Sequence, residues 1–401
     1  MRSETRVRGP AGSTIDRMDF ELQQIVERIR AAAADATVLR IRGGGTKDFH
    51  GAAAADGVAP LDLRPLAGVT AYEPSELVVT ARAGTPLAEL ETLLAAEGQC
   101  LPFEPPHFGT GGTVGGMVAA GWSGPARANV GAVRDYVLGA MLVDGRGEVL
   151  SFGGQVMKNV AGYDVSRVLA GSFGTLGVIA QVSLKVLPVA PAEATLRFEC
   201  TQAEALDLLN GWGGRPLPLN ASCWVEDAGR GTLYLRLRGA VAAVEAARAH
   251  LGGELQPDAG ADWTRCRDQR LPWFLAPGDA LDLWRLSVPQ TAPVIAPPAG
   301  GAGAGDAGPL IEWHGGQRWY RARPGQGDHW RAAARAVGGH ATLFRSAAAT
   351  GADVQHGDSL SPALARIQRA LQQEFDPSGV FDRSRLDVRA DDATARPARA
   401  P

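Results

Sequence analysis

The stretch Thr37-Val-Leu-Arg-Ile-Arg-Gly-Gly-Gly-Thr-Lys47 decides how the rest of the chain is read. Its first five residues suit a strand, which stops abruptly at Arg42. Gly43, Gly44 and Gly45 then let several backbone N–H groups turn inward with no Cβ in the way, the makings of an anion-binding nest. Arg42, Thr46 and Lys47 add donors suited to phosphate oxygens. A second run, Gly109-Thr-Gly-Gly-Thr-Val-Gly-Gly-Met-Val-Ala-Ala-Gly121, brings Gly112, Thr113, Gly115 and Gly116 to the start of a short helix whose first N–H groups are free. Small Ala119 and Ala120 let a flat ligand come close. Either run alone reads equally well as a tight turn; both in one domain favour a shared ligand. Glycine also recurs on either side of a third strand start, from Lys158–Asp164 through Gly171-Ser-Phe-Gly-Thr-Leu-Gly177 to Val178.

Outward from these runs the elements alternate. Met18, Leu22, Ile25, Val26 and Ile29 fall at helical spacing, with Asp16 or Asp19 as N-cap. Short strands are expected at Leu61–Leu63, Val69–Tyr72 and Leu77–Ala83, and Pro86 opens a helix bearing Leu87, Leu90, Leu93 and Leu94. Strands at Tyr136–Val143 and Glu148–Phe152 flank a turn containing Asp144-Gly145, and Val178–Leu187 ends at Pro188. The order gives an α+β fold in two units, 18–190 and 191–386, between disordered tails at 1–17 and 387–401. A Pro/Ala/Gly run at 293–308 reads as a mobile loop. The G-x-G-x-x-G spacing at Gly303, Gly305 and Gly308 lies in that run with no strand before it, so it is set aside as accidental.

Composition narrows the function. Charged residues make up 21% and the formal charge is -3, so no positive field exists to hold a nucleic acid backbone. Cys100, Cys200, Cys223 and Cys266 lie far apart, which leaves no spacing for an iron–sulfur or zinc site, and no metal is expected. No apolar run has the length of a membrane span and Met1–Pro10 has no secretory character. The expected location is the cytoplasm, with any membrane association supplied by partners.

At the three glycine segments the sequence resembles the flavoprotein family of vanillyl-alcohol oxidase and p-cresol methylhydroxylase, whose FAD domains carry R-G-G-G-T, T-x-G-G and G-T-L-G-V-I. K-N-V-A-G-Y-D at Lys158–Asp164, R-D-Y-V-L-G at Arg134–Gly139 and F-D-P-S-G-V-F at Phe375–Phe381 are similar to its glycolate and D-lactate dehydrogenase branch. The resemblance implies a two-subdomain FAD-binding domain of the p-cresol methylhydroxylase (PCMH) type, followed by an α+β cap. It implies that Arg42, Gly43, Gly44, Gly45, Thr46 and Lys47 surround the pyrophosphate, that Gly112, Thr113, Gly115, Gly116 and Gly121 follow it towards the flavin, and that Val178 and Ile179 lie beside the cofactor. Some relatives attach flavin covalently to a histidine where Thr46 stands, so FAD here is expected to be noncovalent.

The same resemblance implies an FAD-binding subunit of a complex that oxidises glycolate to glyoxylate, with a larger homologous FAD subunit and an iron–sulfur subunit as partners. The alternatives are a stand-alone dehydrogenase of D-lactate or another 2-hydroxy acid, and a non-catalytic scaffold. Relatives carry a G-H-x-G-D-G-N-x-H block in the cap; Gly339-His340-Ala341 and His356-Gly357-Asp358 do not complete it. No catalytic residue is therefore assigned. Arg285 and Arg345 are candidates for a substrate carboxylate and His314 for an acid or base, each set against a structural role in ion pairing or packing.

Overall fold

A computed structural model of the chain describes residues 13–52, 58–154, 164–227, 229–275, 281–298, 308–347 and 355–386. Lys158–Tyr163, Gly303, Gly305 and the expected C-terminal tail lie outside the described residues, as does most of the expected N-terminal one.

The first helix, α1 (Ser13–Ala34), begins ahead of Met18, so neither Asp16 nor Asp19 caps it. Its apolar stripe of Leu22, Ile25, Val26 and Ile29 packs on strands β1 (Leu39–Arg42) and β2 (Ala59–Asp62), which pair in parallel. A single parallel bridge, Leu39 to Phe381, ties the far end of the chain to β1: Leu39 N donates to Val380 O at 2.7 Å and Asp382 N to Leu39 O at 2.9 Å. Val380 and Phe381 are buried in the same core as Ile29.

Strands β3 (Val69–Glu73) and β4 (Val78–Arg82) lead to α2 (Leu87–Ala96), where Pro86 is the N-cap rather than a first-turn residue. Leu87, Leu90 and Leu94 of α2 are buried, while Leu93 faces outward. A short β5 (Gln99–Cys100), the helix α3 (Val114–Ala120) and two single turns, α4 (Arg127–Val130) and α5 (Val133–Tyr136), follow. The hairpin β6 (Val137–Val143) and β7 (Val149–Gly153), the turn α6 (Val165–Val168) and β8 (Val178–Lys185) complete an antiparallel sheet of order β3-β4-β8-β6-β7. β9 (Leu187–Pro188) pairs with β5. β8 is covered on both faces, which is why it reads as a continuous apolar run. Val178 and Ala180 enter the α1 core, whereas Ile179, Val182 and Leu184 enter the core of α2 and α3.

The second unit is an eight-stranded sheet in which every neighbouring pair is antiparallel, of order β13-β10-β12-β11-β15-β16-β14-β17. Its strands are β10 (Ala192–Glu199), β11 (Leu219–Asp227), β12 (Arg230–Gly239), β13 (Glu254–Gln256), β14 (Asp282–Ser287), β15 (Leu310–Glu312), β16 (Gln317–Ala322) and β17 (His340–Arg345). Helices α7 (Gln202–Gly213), α8 (Val241–Leu251) and α11 (Gly327–Ala336) cover one face, with α9 (Gly260–Arg267) and α10 (Pro272–Leu275) at its margin. The other face meets the first unit through an aromatic layer. The last helix, α12 (Pro362–Phe375), leaves this sheet, and its Leu371 and Phe375 pack in the core of the first unit. The first unit is thus discontinuous in sequence, closed by residues that the continuous division at 190 had assigned to the second.

The start of the expected mobile loop is also anchored. Arg318, fully buried, donates to Ala292 O and Pro293 O, and Tyr320 Oη donates to Ile295 O at 3.1 Å. Ala292 and Ile295 are buried. Buried donors on β16 satisfy an extended backbone that composition alone marks as free.

Candidate cofactor cleft and the chamber beside it

The two glycine runs meet. A cleft is lined on one side by Ile41, Arg42, Gly43, Gly44, Gly45, Thr46, Lys47 and Asp48, and on the other by Thr113, Gly115, Gly116, Ala119 and Ala120. Phe173, Gly174, Gly177 and Ile179 close one wall, and Leu63 and Arg385 complete the lining. Of the residues expected at a cofactor, Gly112, Gly121 and Val178 do not line the cleft. Gly112 O accepts the Leu87 N–H at 2.8 Å, Gly121 ends α3 with φ of 65°, and Val178 points into the α1 core. Alternation along β8 sends Ile179 to the cleft and Val178 away from it.

The glycines serve the approach of backbone to backbone. A Cβ on Gly44 would lie 1.6 Å from Gly111 O, and one on Gly43 2.3 Å from Thr113 Oγ1. Gly45 takes φ of 71°, where side chains are strained. Thr113 is the N-cap of α3, its Oγ1 accepting the Gly116 N–H at 3.2 Å.

Charge in the cleft is positive. Asp48 accepts from Arg42 Nε at 2.9 Å and from Arg385 Nη2, so one carboxylate stands between two guanidinium groups. Lys47 is 8% exposed, and burial lowers its ammonium to about 8, Asp268 pulling the other way and Arg385 adding to the fall. Three cations against one carboxylate, with glycine backbone between them, suit a diphosphate. Sequence reasoning missed Arg385, Asp48 and Leu63. Arg385 reaches Asp48 across 337 positions, and no local pattern marks it.

α3 spans about 10 Å at 1.5 Å per residue. Past its C-terminal end, Trp122, Ser123 and Gly124 face a second cavity against the cap, whose side is formed by Arg267, Gln269, Arg285, Glu312, Gln317, Trp319 and Phe344. Aromatic rings cluster where the two spaces approach each other: Trp122 lies 4.7 Å from Phe344, 5.6 Å from Phe108 and 5.6 Å from Phe173, centroid to centroid. Arg285 stacks over Phe344 at 5.6 Å, and burial lowers its guanidinium to about 10, helped by nearby Arg127.

The other candidates sit elsewhere. Arg345 stacks on Phe49 at 4.6 Å and donates to Gln269 Oε1 at 3.3 Å, behind the chamber rather than in it. His314 lines neither cavity. It is 7% exposed, burial lowers it to about 4, and its Nε2 lies 2.6 Å from Asn129 Nδ2 in the seam between the units. His356 Nδ1 lies 3.0 Å from Leu343 O and Asp358 pairs with Arg335, so the incomplete histidine block is engaged in packing. Among the described residues no group of three or more His, Cys, Asp or Glu is placed to hold a metal.

A cleft lined by glycine and cations between two small α+β subdomains, with a sheet-built cap over its far end, defines an FAD-binding oxidoreductase, and residues 21–153 match the family described as FAD binding domain. The chain is 42% identical to glycolate oxidase subunit GlcE of Escherichia coli (strain K12), covering 91% of this chain and 97% of that protein, and it belongs to that family. It is 28% identical to glycolate oxidase subunit GlcD of Bacillus subtilis over 39% of this chain and 33% of GlcD. An Arabidopsis thaliana mitochondrial D-lactate dehydrogenase [cytochrome] is 33% identical over 36% of this chain and 25% of that protein. Among solved structures, an alkyldihydroxyacetonephosphate synthase shares the fold, with a TM-score of 0.61 and 16% identity over 89% of this chain and 74% of that one. Among the described residues no helix is long and apolar enough to cross a membrane.

Proposed function

We infer that this chain is the FAD-carrying subunit of a complex that oxidises glycolate to glyoxylate, and that it holds the cofactor noncovalently. The observation that carries this reading is the cleft itself, where Arg42–Lys47 and Thr113–Gly116 meet around Lys47 and Arg385. Bound FAD supplies the two-electron acceptor that oxidation of a secondary or primary alcohol needs. Arg42, Lys47 and Arg385 neutralise its diphosphate, and Gly45, Gly115 and Gly116 keep the backbone close to it. Thr46 at the covalent position of some relatives has no ring nitrogen to attack the flavin.

A cofactor whose diphosphate lies at the Thr113 end of α3 extends along that helix towards Trp122–Gly124, where the chamber with Arg285 begins. Arg285 receives the carboxylate of the 2-hydroxy acid, and Arg345 orders the adjoining Gln269. The aromatic layer of Phe108, Trp122 and Phe344 excludes water around it. A homologous flavoprotein subunit is the companion that the GlcD likeness suggests, and an iron–sulfur subunit is the acceptor onward, since the four cysteines of this chain are dispersed.

Purification of the full chain, with FAD supplied and glycolate and an artificial electron acceptor added, tests the reading. A yellow protein that turns over only with its companions supports it. Turnover by the chain alone supports a stand-alone dehydrogenase, and a colourless, folded protein supports a scaffold.

A further inference from the structure

The chamber holds an acidic residue that the sequence reading passed over. Glu312 ends β15 and is 4% exposed. Register places it on one sheet face with Arg285: Glu312 pairs with Gln317, Trp319 lies two residues on, and Trp319 pairs with Arg285. β16 separates their strands, so the two backbones stand about 10 Å apart. No ion pair joins Arg285 to Glu312 or to any other carboxylate among the described residues, although both line the same cavity. The Arg285 guanidinium and the buried Glu312 carboxyl line one cavity without pairing, which leaves two polar groups of opposite kind facing the same space.

The carboxyl is held in one orientation. Its Oε2 accepts from Trp319 Nε1 at 2.6 Å and Gln317 Nε2 at 2.9 Å, while Oε1 has only the Cys266 thiol at 3.3 Å. Oε1 is therefore the acceptor with capacity to spare. Burial raises Glu312 above the usual carboxylate range, against the three donors that lower it. The charged and titratable groups around it are Cys266 and Arg267 on α9, the latter paired with Asp268, Cys223 on β11, Arg285 on β14 and, further off, Glu104.

We propose that Arg285 and Glu312 form a two-point site for a 2-hydroxy acid, in which Arg285 binds the carboxylate and Glu312 Oε1 accepts the hydrogen bond of the 2-hydroxyl and then its proton as the alcohol is oxidised. The proposal rests on the FAD reading above. In balance, the O–H proton would pass to Glu312 and bound FAD would accept the hydride from the same carbon, leaving a carbonyl.

The test is calorimetric titration of the FAD-loaded full chain with glycolate and with acetate, which lacks the hydroxyl. Glycolate is expected to bind at least tenfold more tightly than acetate near pH 7, and the preference is expected to fade as pH drops and Glu312 takes a proton. In E312Q the two N–H donors hold the amide oxygen at the Oε2 position, leaving NH2 where Oε1 stood. That variant is expected to keep its FAD and its acetate affinity and to lose most of the preference, whereas R285M weakens both acids about tenfold or more. Equal affinity for glycolate and acetate in the wild-type chain, or an unchanged preference in E312Q, overturns the proposal while FAD binding stands. A folded chain that takes up no FAD overturns the parent reading instead.

Discussion

At the scale of single residues, space and charge can be separated by substitution. Gly44→Ala places a methyl group where Gly111 O lies, 1.6 Å away, and neither backbone can yield without parting the two runs. This substitution is expected to cost about 3 kcal/mol or more and to abolish flavin uptake, read from a thermal melt and visible absorbance. Gly211 in α7 is the contrast, with open space around it and no positive φ. Gly211→Ala is expected to raise stability by about 0.5–1 kcal/mol with flavin binding unchanged. Lys47 sets a pH dependence. Its ammonium lies at about 8 in the folded chain against an ordinary 10.5, so between these values the unfolded chain carries more protons. Stability of the cofactor-free chain therefore gains a contribution as pH rises through that window. FAD affinity runs the other way, falling above about pH 8 as the cation facing the diphosphate is lost, and Lys47→Met is expected to flatten that fall.

At the scale of elements, the two-stranded sheet of β1 and β2 depends on its bridge to residues 380–382. Asp376, fully buried, accepts the N–H groups of Val380 at 2.8 Å and Phe381 at 3.1 Å and pairs with Arg383 at 3.0 Å. Asp376→Ala is expected to cost about 3 kcal/mol, because these donors lose a charged acceptor. Flavin affinity should fall at least tenfold as Arg385 loses its place, which fluorescence titration measures. Most of the strands and glycine runs were legible in the sequence because period-two alternation and consecutive glycines are local signals. The bridge to β1 was not, since nothing in Phe375–Phe381 says which edge it joins. Glu312 was missed for a related reason. Its neighbour His314 drew notice as an acid or base, but His314 falls in a turn with φ of 53°, which carries its ring into the seam, while Glu312 keeps the strand's orientation towards the chamber.

At the scale of the whole molecule, one polar cluster holds cap and cofactor domain in register. Arg236, 2% exposed, donates to both oxygens of Glu104 at 2.6 and 2.8 Å and through Nε to Asn220 at 2.6 Å. Trp313 Nε1 donates to Gly124 O at 2.9 Å beside it. Glu104→Ala strands a buried guanidinium and is expected to cost about 3–5 kcal/mol, seen as a lower denaturant midpoint. The relative identity of Trp122–Gly124 and the cap strands as one chamber could not be foreseen, because it depends on this docking rather than on any periodicity.

The return of residues 380–382 to β1 fixes the order in which the protein can mature. Translation delivers Arg42–Lys47 early, yet the bridging residues and Arg385 arrive only after the entire cap has been made. A nascent chain lacks a complete grip on the dinucleotide until those residues emerge, and a nick between the units is expected to leave two fragments of which neither alone turns yellow.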